Sequence, residues 1–219
     1  MMEKGRLGME KKLEIKICGI TRVQEAAYLN EACADYAGFV FWEKSRRNVN
    51  FNQAKEIGKY LKEEIKRVAV TVSPDIKLQK QVEDAGFDIL QVHGTLNTKI
   101  LEDSKIPIWQ ACNLREPEDM EKLTEHDKIT GYVIDAGTPG GGRAFDWATC
   151  QTVVERMRKT VFAGKFLILA GGLNSGNVQK AVRLLDPDVV DVSSGVEGAC
   201  GKEKERIMEF VDSLRKQRE

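Results

Sequence analysis

A thiol and a carboxyl group, each at the end of an apolar run, are the side chains of this 219-residue chain best suited to move protons. Cys18 lies in Lys16-Ile-Cys-Gly-Ile-Thr21, where Gly19 lets the chain turn directly after the thiol. Neighbouring cations or helix N-termini that favour the thiolate would let Cys18 act as a base near neutral pH. Asp135 would act as a general acid if burial raised its pKa. The structural alternatives are a small buried side chain for Cys18 and a turn-forming or helix-capping one for Asp135.

Two turns near the C-terminus have the composition of an anion site. The first contains Gly171 and Gly172, and the second is Ser193-Ser194-Gly195; each follows an apolar run. Hydroxyl groups, closely approaching backbone N–H groups and helix N-termini all favour a bound anion such as phosphate. Two consecutive units of this kind, in last place along the chain, are typical of the phosphate site between the last two strands of a (β/α)8 barrel.

Polar side chains after the second and fourth apolar runs could contact a substrate. Arg46 and Arg47 could clamp a carboxylate, because a guanidinium group matches it as a fork; a solvated pair of charges is the alternative. Gln91 and His93 end the fourth run. Since the chain contains only one other histidine, no set of metal ligands assembles, and we expect His93 to line the substrate pocket or to support the fold. We therefore predict no metal site.

Eight short apolar runs must position these candidates. Because strands buried on both faces read as continuous apolar runs, the pattern predicts parallel strands covered by helices. A doubly wound open sheet is the alternative; the closed barrel is favoured because the dinucleotide motif G-x-G-x-x-G is missing and the anion-type turns come last. We expect a single (β/α)8 barrel over residues 12–219, with its active site at the C-terminal ends of the strands. The predicted strands are Leu13–Ile17, Tyr36–Phe41, Val68–Val72, Ile89–Val92, Ile108–Ala111, Tyr132–Ile134, Phe166–Leu169 and Val189–Val192.

Segments with helical spacing lie between the predicted strands. Each places its apolar residues on one face, which we expect to pack on the barrel. The final helix should bury Ile207, Phe210, Val211 and Leu214. The other predicted faces are Ala26, Leu29 and Cys33; Ala54, Ile57 and Leu61; Ile76, Val82 and Ala85; and Val178, Ala181, Val182 and Leu185.

Composition narrows the compartment and the partners. Positive and negative side chains balance at 34 each, so we expect no nucleic-acid partner. No apolar run approaches the roughly 20 residues of a membrane span, so we expect no membrane partner either. The five cysteines are scattered without a C-x-x-C pair, which is typical of reduced thiols in a cytoplasmic protein. Residues 1–11 are predicted to be a disordered extension, within which Met9 is a second candidate start.

A glycine-rich loop follows Asp135. The segment Asp135-Ala-Gly-Thr-Pro-Gly-Gly-Gly-Arg-Ala-Phe145 has too many glycines for a stable element, so we predict a mobile loop on the active-site face. Arg143 and Ala144 stand where a nucleotide-binding P-loop carries its lysine and hydroxyl residue. We therefore expect a lid, with Phe145 and Trp147 as its anchors, and no nucleotide site.

Six motifs in order resemble those of the phosphoribosylanthranilate isomerases over about residues 14–210. The resemblance implies a (β/α)8 barrel of tryptophan biosynthesis that acts without metal or cofactor. Its reaction is the Amadori rearrangement of N-(5-phosphoribosyl)anthranilate to 1-(2-carboxyphenylamino)-1-deoxyribulose 5-phosphate. The motifs are Lys16-Ile-Cys-Gly-Ile-Thr21, Gly38-Phe-Val-Phe41 with Ser45-Arg-Arg47, Gln91-Val-His-Gly94, Gly141-Gly-Arg-Ala-Phe-Asp-Trp147, Leu169-Ala-Gly-Gly-Leu-Asn174 and Asp191-Val-Ser-Ser-Gly-Val-Glu197.

The resemblance also implies roles for single residues. Cys18 matches the general base that removes the proton from the ribose C2, and Asp135 matches the general acid that protonates the ring oxygen. Arg47 matches an arginine near the anthranilate, although Ser45-Arg46-Arg47 replaces the family's Ser-Pro-Arg, so Arg46 could make this contact. The expected substrate-binding residues are Arg47, Gln91, His93, Gly171, Gly172, Ser193, Ser194 and Gly195.

Two other functions stay open at this point. A different sugar-phosphate isomerase or epimerase on the same barrel would share the phosphate site, and a non-catalytic binder of a phosphorylated ligand would keep that site without chemistry. The presence of both Cys18 and Asp135 argues against the binder. We expect a small phosphorylated molecule as the partner and a chain that is a monomer or a homodimer.

Overall fold

The computed structural model describes residues 12–112, 123–135 and 164–215, together with 151–152, 154–155 and 158–159. Eight parallel strands form a closed barrel in chain order, so that the first strand pairs with both the second and the last. This confirms the predicted barrel, and each predicted run is a strand whose ends shift by three residues at most. The strands are β1 (Glu14–Cys18), β2 (Tyr36–Phe41), β3 (Lys66–Val72), β4 (Ile89–His93), β5 (Ile108–Cys112), β6 (Ile129–Asp135), β7 (Phe166–Ala170) and β8 (Val189–Val192).

Helices connect the strands in the described ranges, and short polar residues begin several of them. Asn50 accepts a hydrogen bond from Gln53 N at 2.9 Å, and Asp75 accepts one from Leu78 N at 2.7 Å. These caps satisfy N–H groups that have no partner in the first turn of a helix. The helices are α1 (Val23–Ala32), α2 (Phe51–Gly58), α3 (Ile76–Asp84), α4 (Thr98–Asp103), α5 (Val178–Leu185) and α6 (Lys204–Arg215).

Two apolar cores follow from the alternation of side chains along each strand. One fills the barrel and includes Tyr36, Val70 and Trp109; the other lies between barrel and helices and includes Leu90 and Phe210. Gly131 makes room for the largest interior side chain, since a Cβ there would approach the Trp109 ring at 2.9 Å. Side chains that fill the barrel close its centre, which leaves the mouth as the place for a ligand.

The predicted apolar face of the last helix is confirmed, because all four of its residues are buried on α6. Cys33 was predicted on the buried face of α1, and this prediction is wrong: the helix ends at Ala32, and Cys33 adopts φ 51° and is exposed. The left-handed turn directs its side chain away from the barrel. Glu25 is buried on α1 instead, because its carboxylate accepts backbone hydrogen bonds from Thr21 and Lys202.

Other predictions fall outside the described residues. They are the N-terminal extension with Met9, and the glycine loop Gly137–Arg143 with Phe145 and Trp147. Among the helices that the structure describes, none has the length and apolar character needed to cross a membrane.

Candidate active site

The barrel mouth collects the predicted proton-transfer residues at the ends of β1 and β6, which β7 and β8 separate. Cys18 ends β1 and contacts the core inside the barrel. Asp135 ends β6, two residues beyond Val133 of the same core, so alternation aims both side chains at the interior of the mouth. Gly38 pairs with Cys18 across β1 and β2, and a Cβ on Gly38 would lie 2.9 Å from the sulfur. The glycine therefore makes the space that the thiol occupies.

A buried ion pair lies directly below Cys18. Lys16 Nζ donates to Asp191 Oδ2 at 2.6 Å, and Lys16 is fully buried. The two residues are register partners across β1 and β8, the seam where the barrel closes. Burial alone would lower the pKa of Lys16, but the attraction of Asp191 and Cys18 raises it, so the ammonium stays charged. Sequence reasoning missed this pair; opposite charges inside the first and last apolar runs were its signal.

The surroundings of the Cys18 thiol act on it in opposite directions. Burial raises the pKa of the thiol, while the nearby ammonium groups of Lys16 and Lys202 lower it. The net effect is a pKa above the ordinary range. The expectation that cations would favour the thiolate is thus met by two lysines, but burial outweighs them because it removes the water that solvates the charged form. The thiolate is a minority species at neutral pH.

His93 and Gln91 follow the same inward alternation on β4, and both lie among the barrel-interior side chains. Gln91 Nε2 lies 2.9 Å from His93 Nε2. Burial lowers the pKa of His93 to about 4, and the charge of Lys16 lowers it in the same direction. His93 is therefore a neutral polar group of the mouth near pH 7.

The neutral state of His93 should make stability depend on pH. The pKa is about 4 in the fold and about 6.5 in an unfolded chain, so the unfolded chain takes up the proton first as the pH falls. We expect His93 to reduce the free energy of unfolding by on the order of 2 kcal/mol between pH 7 and pH 4.5. Urea denaturation at both pH values would show a smaller acid loss in His93→Gln than in the parent chain; equal losses would contradict the assignment.

Arg47, and not Arg46, is the arginine packed into the site. The side chain of Arg47 is 25% exposed, whereas that of Arg46 is 73% exposed. The Arg47 stem crosses Gly19, where a Cβ would collide with its Cδ, so the guanidinium lies beside the residue that follows Cys18. Both arginines contact the carboxylate of Glu197. Sequence reasoning assigned no role to Glu197, which it met only as the last residue of a motif.

Glu197 also contacts a buried lysine across a two-stranded hairpin, β9 (Glu197–Gly198) with β10 (Gly201–Lys202). Lys202 Nζ donates to Glu197 at 2.5 Å, and to the carbonyl and hydroxyl oxygens of Ser193 at 3.1 and 3.2 Å. Burial alone would raise the pKa of Glu197, but hydrogen bonds from Arg47 and Lys202 lower it to about 2. The Ser193 hydroxyl in turn donates to Cys18 O at 2.9 Å. Ser193 thus ties β8 to the end of β1.

The two predicted anion-type turns lie side by side. Gly171 and Gly172 have φ of 93° and 63°, in the left-handed region that glycine adopts without strain. Asn177 Nδ2 donates to Gly172 O at 3.0 Å and holds the first turn. Ser194 begins a 3₁₀ turn over Ser194–Val196, and Gly195 packs on the carbonyl of Leu173, where a Cβ would collide. This contact brings the second turn against the first.

Asp135 stands next to the first of these turns. It pairs in register with Ala170, the residue before Gly171. The mouth therefore combines a carboxyl group, a thiol, an arginine and paired glycine-rich turns at neighbouring strand ends. Such a set can bind an anion on one side and exchange protons with a ligand held between Cys18 and Asp135.

Known proteins are similar to this chain in sequence and in fold. A family model described as N-(5′-phosphoribosyl)anthranilate (PRA) isomerase matches residues 15–213. The N-(5′-phosphoribosyl)anthranilate isomerase of Thermoanaerobacter pseudethanolicus is 35% identical over 209 residues, covering 93% of this chain and 98% of that protein. The crystal structure of phosphoribosyl anthranilate isomerase from Thermotoga maritima superposes with a TM-score of 0.82 at 29% identity, over 94% of this chain and 100% of the other.

One further solved structure carries a ligand. It is a phosphoribosyl anthranilate isomerase in complex with reduced 1-(o-carboxyphenylamino)-1-deoxyribulose 5-phosphate. Its TM-score to this chain is 0.79 at 28% identity, and the match covers 94% of this chain and 100% of that one. The ligand in that complex has a phosphate at one end and a carboxyphenyl group at the other.

Proposed function

We propose residue roles for this chain on the premise that it belongs to the family of N-(5′-phosphoribosyl)anthranilate isomerases. The chain is an isomerase of tryptophan biosynthesis, which converts N-(5′-phosphoribosyl)anthranilate to 1-(2-carboxyphenylamino)-1-deoxyribulose 5-phosphate. The observation that carries the assignment is a family match that runs through the whole barrel, from β1 to α6. The direct test is turnover of phosphoribosylanthranilate, followed by loss of the fluorescence of the anthranilate substrate. No turnover by the folded chain would reject the assignment.

The reaction needs one proton given and one proton removed. In our proposal Asp135 protonates the furanose ring oxygen, the C1–O bond breaks, and the ring opens to a Schiff base between C1 and the anthranilate nitrogen. Cys18 then removes the proton from C2, which moves the electron pair into the C1–C2 bond and neutralises the iminium nitrogen. The resulting enamine-enol tautomerises to the ketone product. Two groups of different acidity on opposite sides of one mouth suit these steps.

The Cys18 pKa bears on the second step. Since burial raises the pKa of the free thiol, the base must work from a small thiolate population or become deprotonated as substrate binds. Lys16 and Lys202 stabilise that population by their charge. A thiolate in a buried site is a stronger base than one in water, because the buried thiol that it forms on taking up a proton has the higher pKa. We therefore propose that the lysines make the thiolate accessible and burial makes it reactive.

We propose that the substrate phosphate binds between Gly172 and Ser194. Two observations support this: the turns after β7 and β8 lie against each other, and Asn177 Nδ2 holds the first turn by donating to the Gly172 carbonyl. In this arrangement backbone N–H groups of Gly171, Gly172, Ser194 and Gly195 are the donors to the phosphate. The Ser193 hydroxyl is bonded to Cys18 O, so the contribution of Ser193 to phosphate binding is its backbone.

Replacing Gly172 by valine should raise KM about tenfold or more, because a side chain would block the approach of phosphate to charge-assisted backbone donors. Within the described residues no atom lies within 4 Å of a Cβ built at Gly172, so a clash with them would not explain the effect, and the backbone strain of a side chain at φ 63° is matched by the control below. Steady-state kinetics of Gly172→Val and of the control Gly164→Val would measure the change in KM.

Gly164→Val is the matched control for this substitution. Gly164 has φ of 82° and also has no atom of the described residues within 4 Å of its Cβ position, but it precedes β7 at the opposite end of the barrel. Valine at position 164 therefore introduces the same kind of backbone strain as valine at position 172, but away from the proposed phosphate site. An unchanged KM in Gly172→Val, or an equal rise in both variants, would reject this phosphate position.

At the other end of the substrate, we propose that Arg47 binds the carboxylate of the anthranilate ring. The packing of Arg47 over Gly19, beside Cys18, supports this choice over the exposed Arg46. Gln91 and His93 then line the mouth as neutral polar groups between the phosphate and carboxylate ends.

We also propose a cytoplasmic location and a chain that is a monomer or a homodimer. The described cysteines Cys18, Cys33 and Cys200 are free thiols, which fits a reducing compartment. Light scattering of the purified chain would decide between monomer and dimer.

A further inference from the structure

A single carboxylate, that of Glu197, joins cations from two loops of the barrel mouth. Arg47 Nε donates to Glu197 Oε1 at 2.6 Å and Arg47 Nη2 donates to Oε2 at 2.7 Å, a two-point contact. Arg46 Nη2 adds a bond to Oε2 at 2.6 Å, and Lys202 Nζ adds one to Oε1 at 2.5 Å. Glu197 therefore links the loop after β2, which carries the arginines, to the hairpin after β8.

Lys202 and the start of α1 hold Glu197 in position. Lys202 is its register partner across the hairpin and is buried, with 1% of its surface exposed. The Lys202 backbone is bonded on both sides: its N–H donates to Glu25 Oε1 at 2.9 Å, and its carbonyl accepts from Arg22 Nη2 at 3.0 Å. Because Arg22 and Glu25 belong to the start of α1, the carboxylate is anchored to the element that follows Cys18.

This contact leaves one edge of the Arg47 guanidinium unused. Glu197 occupies the edge formed by Nε and Nη2. The second edge, formed by Nη1 and the other hydrogen of Nη2, makes no hydrogen bond within the described part of the chain, and it is also a fork that fits a carboxylate. In this cluster three cations contact one carboxylate, so the cluster keeps a net positive charge after Glu197 is paired.

We propose that Glu197 is the positioning residue for substrate carboxylate recognition: it holds Arg47 by one edge so that the other edge faces the carboxylate of the anthranilate ring. This inference deepens the proposed function and rests on it. A long arginine side chain without such a partner samples many rotamers, and the ordering would have to occur on binding. With Glu197 in place, the fork is oriented before the substrate arrives.

The test compares two ligands that differ only in the carboxylate. One is reduced 1-(o-carboxyphenylamino)-1-deoxyribulose 5-phosphate, and the other is its counterpart with an unsubstituted phenyl ring. Their Kd values would be measured by calorimetry for the parent chain, Glu197→Gln, Arg47→Met and the double variant. Glu203→Gln is the control, since Glu203 lies just beyond the same hairpin, is 42% exposed and pairs with Arg206 instead of with the Arg47 cluster.

We expect Glu197→Gln to weaken binding of the carboxylated ligand about 10-fold to 100-fold, while the phenyl ligand changes less than about threefold. Adding Glu197→Gln to Arg47→Met should produce no further loss for the carboxylated ligand, because the glutamate acts through the arginine. A merely structural role would weaken both ligands alike. Equal losses for both ligands, or additive losses in the double variant, would overturn the proposal.

A second pair of substitutions distinguishes a folding defect of Glu197→Gln from the loss of Arg47 positioning. Glu197→Gln leaves the buried Lys202 ammonium without its counter-charge, which is destabilising in itself. Glu197→Gln with Lys202→Met removes both charges and keeps the volume of each side chain similar. If Glu197→Gln alone fails to fold, Glu197→Gln with Lys202→Met replaces it in the same comparison of ligands. Retained preference of this double variant for the carboxylated ligand would overturn the proposal.

Failure of the proposed carboxylate site at Arg47 would give a different pattern of Kd values. A parent chain that does not prefer the carboxylated ligand, or an Arg47→Met variant that keeps the preference, would reject Arg47 as the carboxylate site and the positioning role with it. A preference that depends on Arg47 but not on Glu197 would reject only the positioning role.

Discussion

Replacing Cys18 by serine should lower kcat by about 10³-fold, within the range for the loss of a general base. A hydroxyl group has a far higher pKa than a thiol, so serine cannot supply the basic form that takes the proton from C2. The substitution removes little volume, and Gly38 already leaves the space that the side chain needs. Ligand binding and the melting temperature should therefore stay near those of the parent chain, and steady-state kinetics with calorimetry would measure both.

Cys33→Ser is the matched control, because Cys33 is exposed at the end of α1 and away from the barrel mouth. It should keep the kcat of the parent chain. The raised pKa of Cys18 adds an independent check: alkylation by iodoacetamide should reach its maximal rate at a higher pH for Cys18 than for the thiol of a short unstructured peptide. If Cys18→Ser loses activity together with a large fall in melting temperature, Cys18 is a core residue and the base lies elsewhere.

Replacing Asp135 by asparagine should lower kcat by about 10²-fold or more and leave KM nearly unchanged. The amide keeps the shape of the carboxyl group at the end of β6 but donates a proton to the ring oxygen far less readily. An aspartic acid that donates near neutral pH has to hold its proton against an ordinary pKa of about 3.9, which requires water to be excluded from the bound complex. The fall in rate with rising pH, where Asp135 loses its proton, should be present in the parent chain and absent from the variant.

The control for this substitution is Asp127→Asn, a similar change in the exposed turn that precedes β6. It removes the same charge from the surface without touching the mouth, so its kcat should match that of the parent chain. A near-normal kcat in Asp135→Asn would mean that Asp135 only shapes the turn after β6 and that another group protonates the ring.

The fold could be predicted because its strands carry a local signal. Apolar residues dominate each of the eight runs, as they do in strands between a packed barrel interior and a helix layer. Cys18, Asp135 and the paired turns could be predicted for a related reason: strand ends and glycines are visible in the sequence, and in a parallel barrel all such ends meet at one face. The failures were also local, since the pattern on α1 continued to Cys33 beyond the residue where the helix ends.

The sequence by itself therefore determined which elements form, which face carries the chemistry and which family the chain resembles. Only the tertiary structure decided which charges meet. Lys16 and Asp191 are 175 residues apart in the chain and become neighbours when β1 closes on β8. Glu197 reaches Arg47 across 150 residues, and the pKa of Cys18 depends on the balance between burial and two lysines. Electrostatic effects depend on distance and on the loss of water in three dimensions, and neither quantity is written in the local order of residues.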